Sequence, residues 1–307
     1  MTNINLCTLN VNGIQNKEKG LRVIDWVKRN KCSIALLQET HLNEETRASL
    51  EKDTDFIFHC SHGTTASRGV AIGINKHADI EVINKFCDND GRLILLNVKM
   101  DNVILSLVCL YAPNYRTDRN SFFKNVNNFI KENSIGITLV AGDFNEALKT
   151  LDRKSLNKNT KFSEPVNSLK VLMKNHNFID IWRILHKSTQ QFTWRRKDKT
   201  QASRIDLILI AKEFQSLVEY CKIKPALIKV TDHQGIVLNF KTGASERGNG
   251  YWKLNNSILK DIEYKNTINR VINQFENRII NNESSDIRLL WDNLKIEIRD
   301  ESILYCK

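Results

Sequence analysis

Short apolar runs, rich in residues that favour strands, recur along the first 240 residues of the chain. Runs of this length between polar or turn-forming residues are typical of buried strands. The clear cases are residues 4–9, 33–37, 70–74, 93–98, 103–111, 137–141, 205–210 and 235–240. Apolar residues at helical spacing predict helices over residues 21–29, 122–130 and 169–175. Because some strands follow one another like hairpins and others alternate with helices, the pattern favours an α/β fold with two packed sheets flanked by helices.

The pattern changes after Phe240. Residues 243–250 are Gly-rich and polar, which is typical of a linker. Beyond them the sequence is highly charged and helical in pattern, with a second such stretch over residues 289–298. One predicted helix face carries Ile258, Ile262, Ile268, Val271, Ile272 and Phe275. We therefore predict a domain over residues 1–242, a linker over residues 243–250 and a helical extension over residues 251–307, in a chain that we expect to be part of a longer protein.

The formal net charge of +11 is unevenly distributed. Residues 244–307 carry ten basic and ten acidic residues, so the whole excess lies in residues 1–243. A basic surface attracts polyanions such as nucleic acid and speeds their association. A charge that serves only solubility is the alternative explanation.

Other bulk features indicate an intracellular protein. The seven cysteines are scattered without C-x-x-C spacing, so we expect reduced thiols and no structural zinc site. A strand-like run follows Met1 almost at once, so we expect no signal peptide. No run approaches the roughly 18 apolar residues that a membrane span needs.

Four short polar motifs follow predicted buried strands, where a packed scaffold can hold side chains in place. They are Asn10-Val11-Asn12-Gly13, Leu37-Gln38-Glu39-Thr40-His41, Gly142-Asp143-Phe144-Asn145 and Thr231-Asp232-His233, the last of which follows residues 228–230. Hydrolysis of a phosphodiester needs a cation on the phosphate oxygens, a base or aligner for water, and a donor for the developing charge. The motifs supply a carboxylate for the metal, a second for the water and a histidine for the charge.

Each candidate has a functional and a purely structural interpretation. Glu39 offers a carboxylate to a hard cation such as Mg²⁺, or is a solvated residue before a helix at Asn43. Asp143 can accept a proton from water while Asn145 orients the water or the phosphate, or the two form an Asx turn. Tyr111, at the end of its predicted strand, touches phosphate or is a core tyrosine.

His233 can donate to a non-bridging phosphate oxygen while a second carboxylate holds its other nitrogen. Asp206 is the candidate holder, because an acid in an apolar strand is costly to bury without a partner. The alternative partner of Asp206 is Arg204.

A basic segment, Trp194-Arg195-Arg196-Lys197-Asp198-Lys199, lies between two strand-like runs and predicts a hairpin tip. Its lysines and arginines would meet phosphates, and Trp194 could stack on bases or wedge between them. An ordinary solvated hairpin is the alternative.

Together these motifs resemble the endonuclease/exonuclease/phosphatase superfamily, which includes DNase I, exonuclease III and the apurinic endonucleases. The resemblance covers about residues 3–240 and is strongest to the endonuclease domains of non-LTR (LINE-type) retrotransposons. Several features fit that branch: Asn12 where repair enzymes often have Asp, His41 where they tend to have Lys, and Leu151-Asp152-Arg153. Thr231 replaces the usual Ser, and residues 251–259 resemble the segment that leads from such endonucleases toward a reverse transcriptase.

The resemblance implies a DNase I-like four-layer α/β sandwich with a helical C-terminal extension. It implies a catalytic set, a metal set and a DNA-binding set. The catalytic set is Asn10, Tyr111, Asp143, Asn145, Asp206, Asp232 and His233; the metal set is Glu39, Asn10 and Asp232; the DNA-binding set is Asn12, His41, Asn114, Thr193, Trp194, Arg195, Arg196, Lys197 and Thr231.

The function predicted on this basis is a Mg²⁺-dependent endonuclease, with Mn²⁺ able to substitute. It would nick one strand of duplex DNA in the nucleus and leave a 3′ hydroxyl for a reverse transcriptase domain of the same polypeptide. An apurinic/apyrimidinic repair endonuclease is the alternative within this fold. A catalytically dead nucleic-acid-binding scaffold and a phosphoinositide or sphingomyelin phosphodiesterase are alternatives from other classes, the last by fold alone.

Overall fold

A computed structural model describes residues 2–64, 66–101, 103–157, 162–226, 231–242, 254, 256–280 and 287–306. The chain divides into two compact units, Met1–Gly243 and Ala244–Lys307. In the first unit the strands are β1 (Thr2–Asn10), β2 (Ile34–Gln38), β3 (Phe56–Ser61), β4 (Val70–Asn75), β5 (Glu81–Cys87), β6 (Leu93–Met100), β7 (Val103–Tyr111), β8 (Ile137–Asp143), β9 (Arg153–Ser155), β10 (Phe178–Asp180), β11 (Trp194–Arg195), β12 (Gln201–Ser203), β13 (Asp206–Ala211), β14 (Val218–Lys224) and β15 (Gly235–Thr242). The helices are α1 (Lys17–Arg29), α2 (Glu44–Lys52), α3 (Arg116–Asn133), α4 (Asn167–Asn175) and α5 (Ile181–Leu185) in the first unit, and α6 (Ile262–Ile280) and α7 (Ile287–Tyr305) in the second.

Two mixed six-stranded sheets form the centre of the first unit. Their strand orders are β14-β15-β1-β2-β4-β3 and β10-β13-β8-β7-β6-β5. The pairs β1/β2 and β7/β8 are parallel, and the other pairings are antiparallel. A separate small sheet has the order β11-β12-β9.

Side chains of the central strands are buried on both faces, which explains their continuous apolar sequences. In β1, Leu6 packs between the two sheets, whereas the next residue, Cys7, points to the outer face. That outer face is covered by α1 and α2, and the outer face of the second sheet by α3 and α4. The predicted four-layer α/β sandwich is therefore confirmed.

The structure confirms the predicted interior strands and helices and adds strands that the pattern did not indicate. The four edge strands β3, β5, β10 and β14 and the short strands of the small sheet were not predicted. Asn43 caps α2, as expected, with a reciprocal capping box to Thr46. The predicted strand at residues 228–230 and the linker at residues 243–250 lie outside the described residues, and Asp232 and His233 directly precede β15.

The second unit contains the two long helices α6 and α7. Tyr264 and Ser302 join them through a 2.7 Å hydroxyl hydrogen bond, and Val271 and Phe275 are buried. The predicted helix face is wrong at Ile262, which is 73% exposed because it begins α6. Within the described part of the chain, no helix has the length and apolar character needed to cross a membrane.

Candidate active site

The C-terminal ends of the two parallel strand pairs meet at one edge of the sandwich. Asn10 ends β1, Glu39 directly follows β2, and Asp143 ends β8. Asn10 joins the two sheets here, because its Nδ2 donates to Glu39 Oε1 at 2.9 Å and to Asp143 Oδ2 at 3.0 Å. Three motifs that are far apart in sequence therefore share one site.

Asn10 is a buried bridge between two carboxylates. Its Oδ1 accepts the backbone N–H of Asn12 at 3.1 Å, so its amide N–H group faces Glu39 and Asp143. In this orientation the amide of Asn10 positions the two carboxylates. Its predicted metal-ligand role stays a prediction.

Glu39 leaves its strand through a left-handed backbone turn, with φ of +52°. Such conformations are uncommon outside glycine and cluster at functional sites. Backbone hydrogen bonds hold the turn: the N–H of Gly13 donates to Glu39 O at 2.6 Å, and the N–H of Thr40 donates to Gly69 O at 2.9 Å. Glu39 is therefore a half-buried, fixed carboxylate rather than a freely solvated one.

Asp143 occupies the centre of the site. Its Oδ1 accepts the backbone N–H of Asn145 at 2.9 Å, so the Asx turn considered from the sequence exists alongside the Oδ2 contact with Asn10. Burial, and then the neighbouring charge of Asp206, raise the pKa of Asp143 to about 7, although His233 opposes the shift. Gly142, with φ of +150°, is required before it, because a Cβ there would lie 2.0 Å from the Leu110 carbonyl oxygen.

His233 lies between two acidic side chains. Its Nδ1 is 2.9 Å from Asp206 Oδ2, and its Nε2 is 3.9 Å from Asp143 Oδ2. Burial alone would lower the pKa of His233, but the charge and hydrogen bond of Asp206 outweigh it and raise the pKa to about 10. The imidazole is therefore protonated at neutral pH.

Asp206 does not pair with Arg204, which was the alternative. Arg204 instead contacts Asp152 at 2.8 Å and Asp180 at 2.6 Å. Asp206 is fully buried at the start of β13, and its backbone N–H donates to Thr193 Oγ1 at 3.1 Å. The acid is free to hold His233 because the neighbouring arginine is committed to other carboxylates.

Two residues predicted to bind DNA also have partners within the protein. Thr193 is fully buried, and its hydroxyl accepts the N–H groups of Ile205 and Asp206, so direct DNA contact by Thr193 is not supported. Trp194 is half-buried, and its indole Nε1 donates to Asp232 Oδ2 at 3.0 Å. Thr193 and Trp194 thus contact Asp206 and Asp232, two residues of the predicted catalytic set.

A second polar group surrounds Tyr111. Its hydroxyl donates to Asn114 Oδ1 at 3.1 Å, and Asn145 Nδ2 donates to the same oxygen at 3.2 Å and to Ala112 O at 2.9 Å. Burial, followed by the charge of Glu39, raises the pKa of Tyr111 above its usual value. The ring of Tyr111 thus belongs to the core, whereas its hydroxyl belongs to the candidate site.

Of the other predicted DNA-binding residues, Asn12 and Asn114 line the cleft of this site, whereas His41, Thr231 and the hairpin residues are not among its lining residues. Asn12 is exposed, and its carbonyl oxygen accepts from Lys19 Nζ at 2.5 Å. His41 is half-buried, and burial lowers its pKa while the charge of Glu39 opposes the shift. Thr231 Oγ1 accepts the N–H of His233 at 3.1 Å. The hairpin residues Arg195, Arg196 and Lys197 are exposed.

These groups open onto one cleft of about 580 Å³. It is lined by Asn10, Asn12, Glu39, Asn114, Asp143, Asn145, Trp194, Asp232 and His233, and by four basic residues, Arg116, Arg119, Arg153 and Lys154. The site is therefore an acidic centre within a basic wall.

Sequence reasoning missed a cluster of arginines on this wall. Arg119 contacts the fully buried Glu146 at 3.0 Å, while Arg116 and Arg153 approach the same carboxylate at 3.7 Å. Arg119 also donates to the carbonyl oxygens of Pro113 and Asn114. The only sequence signal was the position of Glu146 directly after Asn145, and nothing in the spacing pairs it with these arginines.

The donor chemistry fits a hard cation near Glu39. Asp143, Asp206 and His233 offer three donor atoms within 4.8 Å of one another. A cation among them would have to displace the proton of His233, since a ligating imidazole nitrogen must be deprotonated. The carboxylates of Glu39 and the exposed Asp232 line the same cleft. Carboxylate oxygens are the ligands that Mg²⁺ and Mn²⁺ prefer.

The fold and site define a phosphoester hydrolase, and comparison with known proteins agrees. The chain belongs to the Endonuclease/Exonuclease/phosphatase family, whose sequence profile matches residues 7–233. The match includes all four polar motifs, so the predicted class of nuclease-type hydrolase is confirmed.

Individual relatives agree with the predicted branch and fold. The 149 kDa protein of transposon TX1 from Xenopus laevis is 27% identical over 299 residues, which cover 96% of this chain and 22% of that protein. The chain thus spans about a fifth of this relative. An AP endonuclease from Archaeoglobus fulgidus has a TM-score of 0.65 and 20% identity, over 78% of this chain and all of its own. The AP endonuclease of Leishmania major gives 0.62 and 16%, over 78% of this chain and 88% of its own.

Proposed function

We propose that the protein is a divalent-metal-dependent endonuclease that nicks one strand of duplex DNA and leaves a 3′ hydroxyl able to prime reverse transcription. The observation that carries the proposal is the bridge of Asn10 between Glu39 and Asp143, with the His233–Asp206 pair directly behind Asp143. This arrangement provides a carboxylate for a cation, a base for water and a cationic donor in one cleft. Mg²⁺ is the expected ion, with Mn²⁺ as a substitute.

Glu39 and Asp232 would hold the ion. When bound, the ion would neutralise charge on the scissile phosphate and on the departing oxygen. Asp143 accepts a proton from the attacking water, and its pKa near 7 suits a base at neutral pH. Asn145 orients the water or the phosphate beside it.

His233 donates a hydrogen bond to a non-bridging oxygen as negative charge develops there. Asp206 keeps the imidazole protonated and oriented through its 2.9 Å contact. A water oxygen–phosphorus bond forms and the bond from phosphorus to the 3′ oxygen breaks. The departing 3′ oxygen takes a proton from solvent water, and the products are a 5′ phosphate and a 3′ hydroxyl.

The excess of basic side chains within residues 1–243 and the basic side chains that line the cleft support DNA as the partner. The similarity to a transposon protein more than four times as long supports a continuation of the chain beyond the nuclease. A reverse transcriptase domain is the continuation that a primer would serve. Residues 251–307 would then begin the connection, and the nucleus would be the place of action. A protein ending at Gly243 should fold and nick normally, and loss of folding would contradict this division.

The test of the proposed function is a nicking assay on supercoiled and linear duplex DNA with Mg²⁺, Mn²⁺ or EDTA. The nicked strand should be extended by a polymerase without prior end repair, since it ends in a 3′ hydroxyl. Absence of nicking on any duplex would contradict the proposal and leave a binding scaffold.

The fold similarity to AP endonucleases favours one second candidate, an abasic-site repair enzyme. Asn12 and His41 depart from the repair-type motifs, which supports the first candidate. Comparing nicking of one duplex with and without an abasic site separates the two. A preference of several orders of magnitude for the abasic duplex would favour the repair function.

A further inference from the structure

Thr193 and Trp194, at the start of β11, contact the segments that carry His233, Asp206 and Asp232. Thr193 O accepts the backbone N–H of Gln234 at 2.6 Å, and Thr193 Oγ1 accepts the N–H of Asp206. The next residue, Trp194, forms a β-bridge with His233 and donates its indole N–H to Asp232. Two consecutive residues therefore hold the segments that carry His233, Asp206 and Asp232.

The same strand continues into the basic tip of the hairpin. Arg195, Arg196 and Lys197 are exposed, and the turn closes through the N–H of Arg196 to Gln201 O at 3.0 Å. Exposed basic residues in a tight turn suit contact with a nucleic-acid backbone.

The hairpin belongs to a sheet of its own. Strands β11, β12 and β9 form a three-stranded sheet that is not hydrogen-bonded to either main sheet through its named strands. A displacement of the hairpin tip can thus be transmitted to the candidate active site through Thr193 and Trp194. Thr193 acts through buried backbone groups, whereas Trp194 uses a side chain that lines the cleft.

We propose that Trp194 is a positioning residue that couples DNA binding at the hairpin tip to the placement of Asp232 and His233. This inference rests on the proposed nuclease function. DNA bound at the tip fixes the position of β11. The indole N–H of Trp194 and its β-bridge then hold Asp232 and His233 in the positions that the reaction needs. Misplacement by about 1 Å can cost up to 10²-fold in rate, so the coupling acts on kcat. Target selection would then be expressed in the chemical step as well as in affinity.

The interpretation that Trp194 stacks on or wedges between bases makes a different prediction. Stacking uses the ring face and contributes to DNA affinity. Positioning uses the N–H and contributes to kcat. Trp194→Phe separates them, because phenylalanine keeps an aromatic ring and loses the donor.

The experiment compares wild type, Trp194→Phe, Trp194→Ala and a control, Trp291→Phe, at an exposed tryptophan of α7. The dissociation constant for a duplex is measured in EDTA by fluorescence anisotropy, and kcat and KM for nicking the same duplex are measured in Mg²⁺. Trp194→Phe should lower kcat about tenfold with the dissociation constant and KM changed by less than about twofold. Normal kcat in Trp194→Phe, with affinity lost only in Trp194→Ala, would overturn the proposal.

A tip variant, Arg196→Gln with Lys197→Gln, tests the coupling without altering Trp194. In the wild-type background it should raise KM and also lower kcat. In the Trp194→Phe background it should raise KM alone, because the link is already broken. Multiplicative losses of kcat would overturn the proposal, whereas absence of nicking by wild type would overturn the nuclease function itself.

Discussion

Two buried ionic clusters lie on either side of Ile205, and they differ in charge balance. Arg204 belongs to one, with Asp152, Asp180 and Arg183. Asp206 belongs to the other, with Asp143 and His233. The first contains two cations and two carboxylates. The second contains two carboxylates and one imidazole, and it opens onto the cleft.

Charge balance makes the first cluster a structural unit. Burial raises the pKa of Asp152, but the hydrogen bonds and charge of Arg204 lower it overall. Both guanidinium groups also lie 4.8 Å from the ring of Trp182. Every charge thus has an opposite partner, and no proton needs to move.

Imbalance makes the second cluster chemically active. Burial, and then the charge of Asp206, raise the pKa of Asp143 to about 7, while the charge and hydrogen bond of Asp206 outweigh burial and raise the pKa of His233 to about 10. Groups with shifted pKa values beside a cleft are candidates for acid–base chemistry. The same residue types therefore serve as scaffold or as catalyst according to charge balance and access to substrate.

Breaking the balanced cluster should have the largest effect on stability. Arg204→Met leaves Asp152 and Asp180 buried with one cation, and removal of one partner from a buried ion pair typically costs about 3–5 kcal/mol. Urea unfolding at pH 7 measures the loss, with the exposed Arg22→Met as control. A loss below about 1 kcal/mol would contradict the structural role.

Breaking the unbalanced cluster should remove activity. Asp143→Ala and His233→Ala should each lower kcat for nicking by about 10²-fold or more. Because both act in one transition state, the double variant should be little worse than either single variant. Independent, multiplicative losses would contradict the shared role.

The pH dependence of stability should differ in sign between the clusters. The raised pKa of Asp143 means that its stabilising contribution is complete below about pH 4 and is lost as the pH rises through about 7. In EDTA at pH 8, Asp143→Asn should therefore be more stable than wild type by about 1 kcal/mol or more, and the gain should vanish toward pH 4.

Asp152→Asn is the matched control for this comparison. The pKa of Asp152 is lowered, so its contribution is present at neutral pH and is lost as the pH falls below about 4. The variant should be less stable than wild type at pH 8. Equal responses of the two variants to pH would contradict the distinction between the clusters.

The fold was predictable where strands are buried on both faces. The runs at β1, β2, β4, β6, β7, β8, β13 and β15 are continuous and apolar, and all are interior strands. The four edge strands were missed because an edge strand needs polar residues on its exposed side; β5, for example, is largely exposed.

The site was predictable where one residue follows a strand. Glu39 directly follows β2 and Asp143 ends β8, and Asn10 bridges the two, while the backbone N–H of Asn145 donates to Asp143. The partners of Arg204 and Glu146 were not predictable, since they lie 24 to 52 residues from Arg204 and 7 to 30 residues from Glu146 and have no local pattern. The burial of Thr193 and the use of its hydroxyl by the N–H groups of Ile205 and Asp206 were not predictable either.

The most direct test of the account is the separation of DNA binding from nicking at Glu39. Glu39→Gln keeps a similar shape but removes the charge that a hard cation needs. With excess Mg²⁺ it should bind the duplex with an affinity near that of wild type and lose most nicking, while the exposed Glu45→Gln nicks normally. Wild-type nicking that survives EDTA, or full activity of Glu39→Gln, would contradict the account.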